Sequence, residues 1–136
     1  GEKDYQQLAL VRRMALDLDL PVDVRSVPTV REDDGLARSS RNRYLDADQR
    51  SLAGTIPQAM AAGVAAGADG AEAVRVAAEG ALAERGIAID YVAVRGTDLG
   101  PPPVDGEGRL LIAVRVGTTR LIDNAAVQLG KAGLPA

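Results

Sequence analysis

Apolar residues recur along the chain at two periods, and the change of period divides it. Leu8, Val11, Ala15 and Leu18 fall at helical spacing. Asp4 with Gln7 three residues on has the form of a capping box at a helix start. Pro21 is expected to end that helix. Val22-Asp23-Val24-Arg25-Ser26-Val27 then alternates as a short strand does. Helix followed by strand is the second half of a βαβ unit, so a parallel sheet edge is expected here. Residues 28–45 are polar, with Pro28, paired acids, Gly35, Ser39-Ser40 and arginines, and the loop is too long for a simple connector.

Asp46 with Gln49 repeats the capping-box pattern and opens a helix over about 46–67, which Gly54 and Pro57 kink or split. Asp69 with Glu72 forms a third such pattern, ahead of a helical face made by Ala73, Val74, Ala77, Ala78, Ala81 and Leu82. Gly86 suits the end of that helix. From Ile87 the period becomes two. Ala88 to Val94 is β-rich, and Gly100-Pro101-Pro102-Pro103 is a stiff connector that cannot join a ladder. Leu110 to Val116, a Gly117-Thr118 turn, and Thr119 to Leu129 predict a hairpin with Leu110, Ile112, Val114 and Val116 on one face. Lys131 to Ala136 is expected to fray. The fold class expected is α+β: a helix-strand remnant of an α/β domain, then a small C-terminal domain of helices packed on a three-stranded antiparallel sheet.

Composition narrows the functional classes. With no Cys, the chain forms no disulfide and no thiolate metal site, which suits the cytoplasm. With no His, it holds no Ser-His-Asp triad, zinc-histidine site or histidine acid–base group. A net charge of −3 argues against bulk binding to nucleic acid or an anionic membrane, although local basic residues can still grip a phosphate. No apolar run approaches the ~18–20 residues of a membrane span. The chain has three Tyr and no Phe or Trp, so its core must come from Ala, Val, Leu and Ile. It opens without an initiator Met or a signal-like segment and reads as a segment starting mid-fold.

Two segments could carry chemistry. In residues 31–42, Ser39-Ser40-Arg41 is a compact set of donors of the kind a polyphosphate needs, and Gly35 lets the backbone turn or approach closely. The same residues also suit a solvated loop with a helix cap and surface arginines. In Gly1-Glu2-Lys3-Asp4-Tyr5-Gln6-Gln7, a Gly and a Lys precede a helix N-terminus, which favours an anion. Asp4 could hold ribose hydroxyls and Gln7 a substrate hydroxyl or carboxylate; equally, the two could simply cap the helix. The spacing is not that of a Walker A loop. Glu32, Asp33 and Asp34 could bind a metal or merely solvate the loop.

Taken together, these segments resemble a known family. Gly1-Glu2-Lys3-Asp4-Tyr5-Gln6-Gln7-Leu8 is similar to a signature of pantothenate synthetases. Val27-Pro28-Thr29-Val30-Arg31-Glu32, Gly35-Leu36-Ala37 and Ser39-Ser40-Arg41-Asn42-Arg43-Tyr44-Leu45 resemble the second signature, which stands where related nucleotidyl transferases have a Lys-Met-Ser-Lys-Ser loop. Gly117-Thr118-Thr119-Arg120-Leu121-Ile122-Asp123-Asn124 is similar to the family's C-terminal hairpin.

The resemblance implies ATP-dependent condensation of pantoate with β-alanine through pantoyl adenylate, giving pantothenate, AMP and pyrophosphate, usually with Mg2+. It implies that Lys3, Ser39 and Ser40 contact ATP phosphates, and that Arg41 binds phosphate near the reacting carboxylate. It further implies that Gly1 and Asp4 contact ribose, that Val30 meets adenine through its backbone, and that Gln7 binds pantoate. Lys3, Ser39, Ser40 and Arg41 are then the catalytic set, with metal ligands unassigned. Residues 1–30 would end a Rossmann-like nucleotide-binding domain, 31–45 form the hinge, and 46–136 form a lid, usually in a homodimer. The sequence departs from the family in two ways: its H-x-G-H motif is absent, and Arg38 stands where Met is common. The chain alone is therefore expected to be inactive. The alternatives are a folding or dimerisation module without catalysis, and another adenylyl-transferring ligase.

Overall fold

A computed structural model describes residues 1–130, so the expected fraying of Lys131 to Ala136 falls outside the described residues. Four helices, α1 (Tyr5–Asp17), α2 (Ala47–Ala53), α3 (Thr55–Ala65) and α4 (Ala71–Glu84), precede three strands, β1 (Ala88–Gly96), β2 (Gly106–Val116) and β3 (Thr119–Leu129). The strands form one antiparallel sheet in the order β1-β2-β3. The two-residue Gly117-Thr118 turn sets the β2–β3 register, pairing Val116 with Thr119 and Leu110 with Ala125. As expected, Leu110, Ile112, Val114 and Val116 all point into the core.

α2, α3 and α4 cover that face. Ile56, Val74 and Leu82 meet Leu110, Ile112, Val114 and Leu129, and no aromatic ring enters this cluster. Full burial of such a side chain contributes about 1.5–3 kcal/mol. The helices come this close because Gly63 of α3 has no side chain: a Cβ there would lie 2.6 Å from Leu110 Cδ2. On the opposite face, Tyr5 and Leu8 of α1 close over Leu111 in a second, small cluster.

The helix boundaries show which local signals hold. The Asp46–Gln49 capping box forms in full: Asp46 Oδ1 accepts from Gln49 N–H at 2.7 Å and Gln49 Oε1 from Asp46 N–H at 3.0 Å. The expected 46–67 helix splits at Gly54 into α2 and α3. Pro57 then falls in the first turn of α3, where its missing N–H costs nothing. The Asp69–Glu72 box does not form. The chain enters α4 through Gly70 at φ 99°, Asp69 ends a preceding 3-10 turn, and Glu72 pairs with Arg75 instead. The Asp4–Gln7 box does not form either, because Glu2–Asp4 is itself a 3-10 turn and Asp4 makes no side-chain cap.

α1 ends before Pro21. Leu20 N–H bonds Ala15 C=O at 2.9 Å and Asp19 N–H bonds Leu16 C=O at 3.2 Å, a Schellman closure.

The predicted strand over Val22–Val27 is a correction. The segment carries no ladder, because a parallel strand needs a neighbouring strand and none of the described residues supplies one. Val27 C=O accepts from Glu2 N–H at 2.9 Å, and Val22 N–H donates to Leu20 C=O at 2.8 Å.

Candidate functional site

Residues 30–38 form an ordered hairpin, with Val30, Arg31, Asp33, Asp34 and Arg38 exposed. Arg38 N–H donates to Val30 C=O and Glu32 N–H to Leu36 C=O, each at 2.8 Å, which folds the segment into a tight hairpin turning at Gly35, φ 92°. Leu36 and Ala37 are buried beneath it. Asp34 is gripped by both guanidinium nitrogens of Arg50, at 2.7 and 3.0 Å. That hydrogen bonding holds the Asp34 carboxyl below the ordinary carboxylate range. Arg31 leaves the hairpin on the other side and clasps both carboxylate oxygens of Asp123 in β3, at 2.7 and 2.9 Å.

Pinned in this way, the hairpin delivers Ser39, Ser40 and Arg41 to one place. Ser39 caps a short 3-10 turn, Ser40–Tyr44, its Oγ accepting from Arg41 N–H at 3.1 Å. Ser40 and Arg41 are exposed. The Arg41 guanidinium donates to Arg120 C=O at 3.4 Å, at the start of β3. Arg120's own guanidinium is folded back onto Asp90 at 2.9 Å and over the Tyr91 ring. Asp90 is free to hold it, and Arg115 as well, because a register shift between Ile89 and Tyr91 takes Asp90 out of the ladder.

The N-terminal turn reaches the same place from the other direction. Asn124 Nδ2 donates to the carbonyls of Glu2 and Lys3 at 2.8 and 2.9 Å. Tyr5 OH donates to Thr97 C=O at 2.7 Å, and Arg109 lies over the Tyr5 ring at 4.4 Å. Lys3 is half-buried as a result. Burial first, and then the Arg41 guanidinium, push its ammonium below the ordinary lysine value, while Asp123 and Asp4 pull the other way. The structure thus brings Lys3, Asp4 and Arg41 into one electrostatic group, with the Ser39-Ser40 turn attached.

Gly1 lies exposed beside the Val27 carbonyl, and Gln7 is exposed on the first turn of α1. Val30 is 57% exposed, with its carbonyl engaged by Arg38. Neither Gln7 nor Val30 shares a hydrogen bond with Lys3 or Arg41 among the described residues.

Lys3 lines a small pocket of about 10 Å3 with Tyr91, Asp123 and Asn124, and Arg41 does not line it. A groove of about 480 Å3 opens elsewhere, between α1 and Thr97–Leu99. Another of about 500 Å3 lies over α3, beside Pro57, Met60 and Val64. Among the described residues no three His, Cys, Asp or Glu side chains gather as metal ligands, and no helix is long and apolar enough to cross a membrane.

The residues that sequence reasoning missed as parts of the site are Arg109, Asp123 and Asn124; Arg31 stood in the candidate loop, but without its partner Asp123. Asp123 and Asn124 had one visible signal, two adjacent polar residues inside the otherwise apolar run Leu121 to Val127, which demand buried partners.

A half-buried lysine whose ammonium feels the Arg41 guanidinium, with the Ser39-Ser40 turn beside that arginine at the rim of a helix-covered sheet, marks the candidate site of an α+β domain. The chain belongs to the pantoate-beta-alanine ligase family, whose pattern it matches over residues 1–126. It is 57% identical over 131 residues to pantothenate synthetase of Nocardia farcinica, covering 96% of this chain and 41% of that protein. Pantothenate synthetase of Mycolicibacterium smegmatis is 56% identical, with 96% and 42% covered. The crystal structure of pantothenate synthetase from Thermus thermophilus superposes with a TM-score of 0.83 and 43% identity, over 92% of this chain and 47% of that one. A Francisella tularensis pantoate-beta-alanine ligase complexed with beta-gamma ATP and beta-alanine gives 0.64 and 26%, over 92% and 41%. The chain therefore spans less than half the length of the relatives it matches.

Proposed function

We propose that this chain supplies the phosphate-gripping part of an ATP-dependent pantoate–β-alanine ligase. The observation that carries the reading is that both candidate segments are tied to β3, the hairpin through Arg31–Asp123 and the N-terminal turn through Asn124–Lys3, with the Arg41 guanidinium among the charges that lower the Lys3 ammonium. Like charges held together repel, and a polyphosphate placed against both relieves that repulsion. In this reading Lys3, Ser39 and Ser40 hold ATP phosphates and Arg41 holds the α-phosphate near the pantoate carboxylate. The carboxylate oxygen attacks that phosphorus and pyrophosphate leaves. The amine of β-alanine then attacks the acyl carbon, a proton is lost from nitrogen, and AMP departs, leaving pantothenate. Gly1 and Asp4 serve ribose, the Val30 backbone serves adenine, and Gln7 serves pantoate. Mg2+ fits without a carboxylate cage, since this ion is commonly held by phosphates, water and one or two acids.

The exposure of Ser40 and Arg41 supports assigning the other wall of the cleft to sequence outside this chain. The apolar side chains exposed on and after α1, among them Leu10, Leu16, Leu18 and Val22, support assigning residues 1–30 to the end of a Rossmann-like domain. Residues 31–45 then form the hinge and 46–136 the lid, in a cytoplasmic homodimer.

Calorimetric titration with ATP tests the reading. Weak binding that disappears in Ser40→Ala and Arg41→Ala is expected. No binding by the unaltered chain would favour a folding or dimerisation module. The sequence has no His and so no H-x-G-H motif. The pure chain is accordingly expected to form no pantothenate in a steady-state assay, and turnover near that of a full-length synthetase would refute this.

A further inference from the structure

We infer that Asp123 and Asn124 are positioning residues, a two-residue clamp on β3 that ties the backbone turn carrying Lys3 and the hairpin leading to Ser39-Ser40-Arg41 to one strand. The ligand in this inference rests on the reading above, whereas the clamp itself is a matter of geometry.

Neighbouring residues of a strand point to opposite faces, so this dipeptide reaches two separate segments at once. Asp123, its side chain 1% exposed, takes both guanidinium nitrogens of Arg31 and so anchors the hairpin that ends in Ser39-Ser40-Arg41. The same carboxylate accepts from Asn124 N–H at 2.7 Å, which ties the two clamp residues together. Asn124 is also buried, and its Nδ2 holds the Glu2 and Lys3 carbonyls. Its Oδ1 accepts from Arg109 Nε at 2.8 Å. Arginine can only donate, so this contact fixes which end of the amide faces the two carbonyls.

Two aliphatic residues would fill these strand positions without the cost of desolvating a charge and an amide. What the polar pair adds is a fixed spacing between the two segments on the β3 side, beyond the Glu2–Val27 backbone bond and the Ser26–Glu2 bond. The Lys3 ammonium feels Arg41, Asp123 and Asp4, and the held carbonyl fixes where its side chain starts.

The test uses the chain itself with 13C-labelled lysine. The sequence contains two lysines, Lys3 and Lys131, so the Cε spectrum is simple to follow with pH. In Asn124→Ala the Lys3 titration should move up toward the ordinary lysine value. In Val127→Ala, a core truncation on the same strand, it should stay depressed. ATP affinity should weaken about tenfold or more in Asn124→Ala and hold in Val127→Ala. Asn124→Ser replaces Asn124→Ala if the latter does not fold. A folded Asn124 variant whose Lys3 titrates as in the unaltered chain overturns the clamp. If Lys3 shifts as expected but the unaltered chain binds no ATP, the clamp stands and the ligand reading falls.

Discussion

Replacing glycine by alanine should have opposite signs at two helix-interior positions. Gly63 lies inside α3 and Gly80 inside α4. In either helix the substitution gains about 1 kcal/mol of propensity, because glycine loses the most backbone freedom on folding. At Gly80 nothing lies within 4 Å of the new Cβ, so the gain survives. At Gly63 the new Cβ would sit 2.6 Å from Leu110 Cδ2, with Ala78 Cβ and Val74 C=O each at 3.4 Å. Carbon atoms pack best at about 3.5–4.0 Å, so roughly 1 Å must be found. Leu110 is fully buried and cannot swing aside into solvent. Overpacking of this kind costs about 1–3 kcal/mol, which outweighs the propensity gain. Gly63→Ala should therefore lose about 1 kcal/mol net, a fall in Tm of roughly 3–5 °C, while Gly80→Ala should rise by a few degrees. The chain has no Trp, so urea and thermal unfolding are best followed by far-UV circular dichroism. If Gly63→Ala proves as stabilising as Gly80→Ala, the close α3–β2 contact is not what makes glycine necessary there.

Three further outcomes follow from named contacts. Asp46→Ala removes the one complete capping box among the described residues and should cost about 1 kcal/mol in urea unfolding; Asp69→Ala, whose box never forms, should be near neutral. The two halves of the Arg31–Asp123 pair should be unequal: Arg31→Ala strands a carboxylate that is 1% exposed, while Asp123→Ala leaves a guanidinium that is 33% exposed and can turn to water. Breaking a buried pair costs about 3–5 kcal/mol, so Arg31→Ala should fall in that range and Asp123→Ala below it; equal losses would contradict the burial argument. Asp34 has its folded pKa depressed by Arg50. Its contribution should be fully present above the unfolded carboxylate value of about 3.9 and lost as pH falls through the lower folded value. The stability gap between the unaltered chain and Arg50→Met should accordingly be constant from neutral pH to about pH 5 and close in stronger acid. A gap that persists at pH 2 would remove Asp34 as its source.

The sheet was legible from the sequence because its determinants are local. Alternation over Leu110 to Val116 and a two-residue turn at Gly117-Thr118 are enough to set face and register. Local signals failed where a partner had to come from elsewhere. Val22 to Val27 alternates correctly yet finds no strand to pair with, and Asp69 is a good cap displaced by a glycine entry one residue later. The clamp was the least legible part. Asn124 meets Glu2 and Lys3 across 122 and 121 positions of chain, a proximity that no periodicity encodes. Ser39-Ser40-Arg41 could be read as a donor strip, but its closeness to Lys3 depends on Arg31 reaching 92 positions forward to Asp123.

Those long separations bear on the order in which the molecule takes shape. A β2–β3 ribbon with a two-residue turn closes quickly, and so does the α3–α4 pair, since each needs only nearby chain. The Glu2 and Lys3 carbonyls can dock only after Asn124 is already set in its strand, and few other bonds protect that segment. Amide hydrogen exchange should therefore find the first residues opening at far lower free energy than β2. A preparation with full native ellipticity could still have its two cations apart.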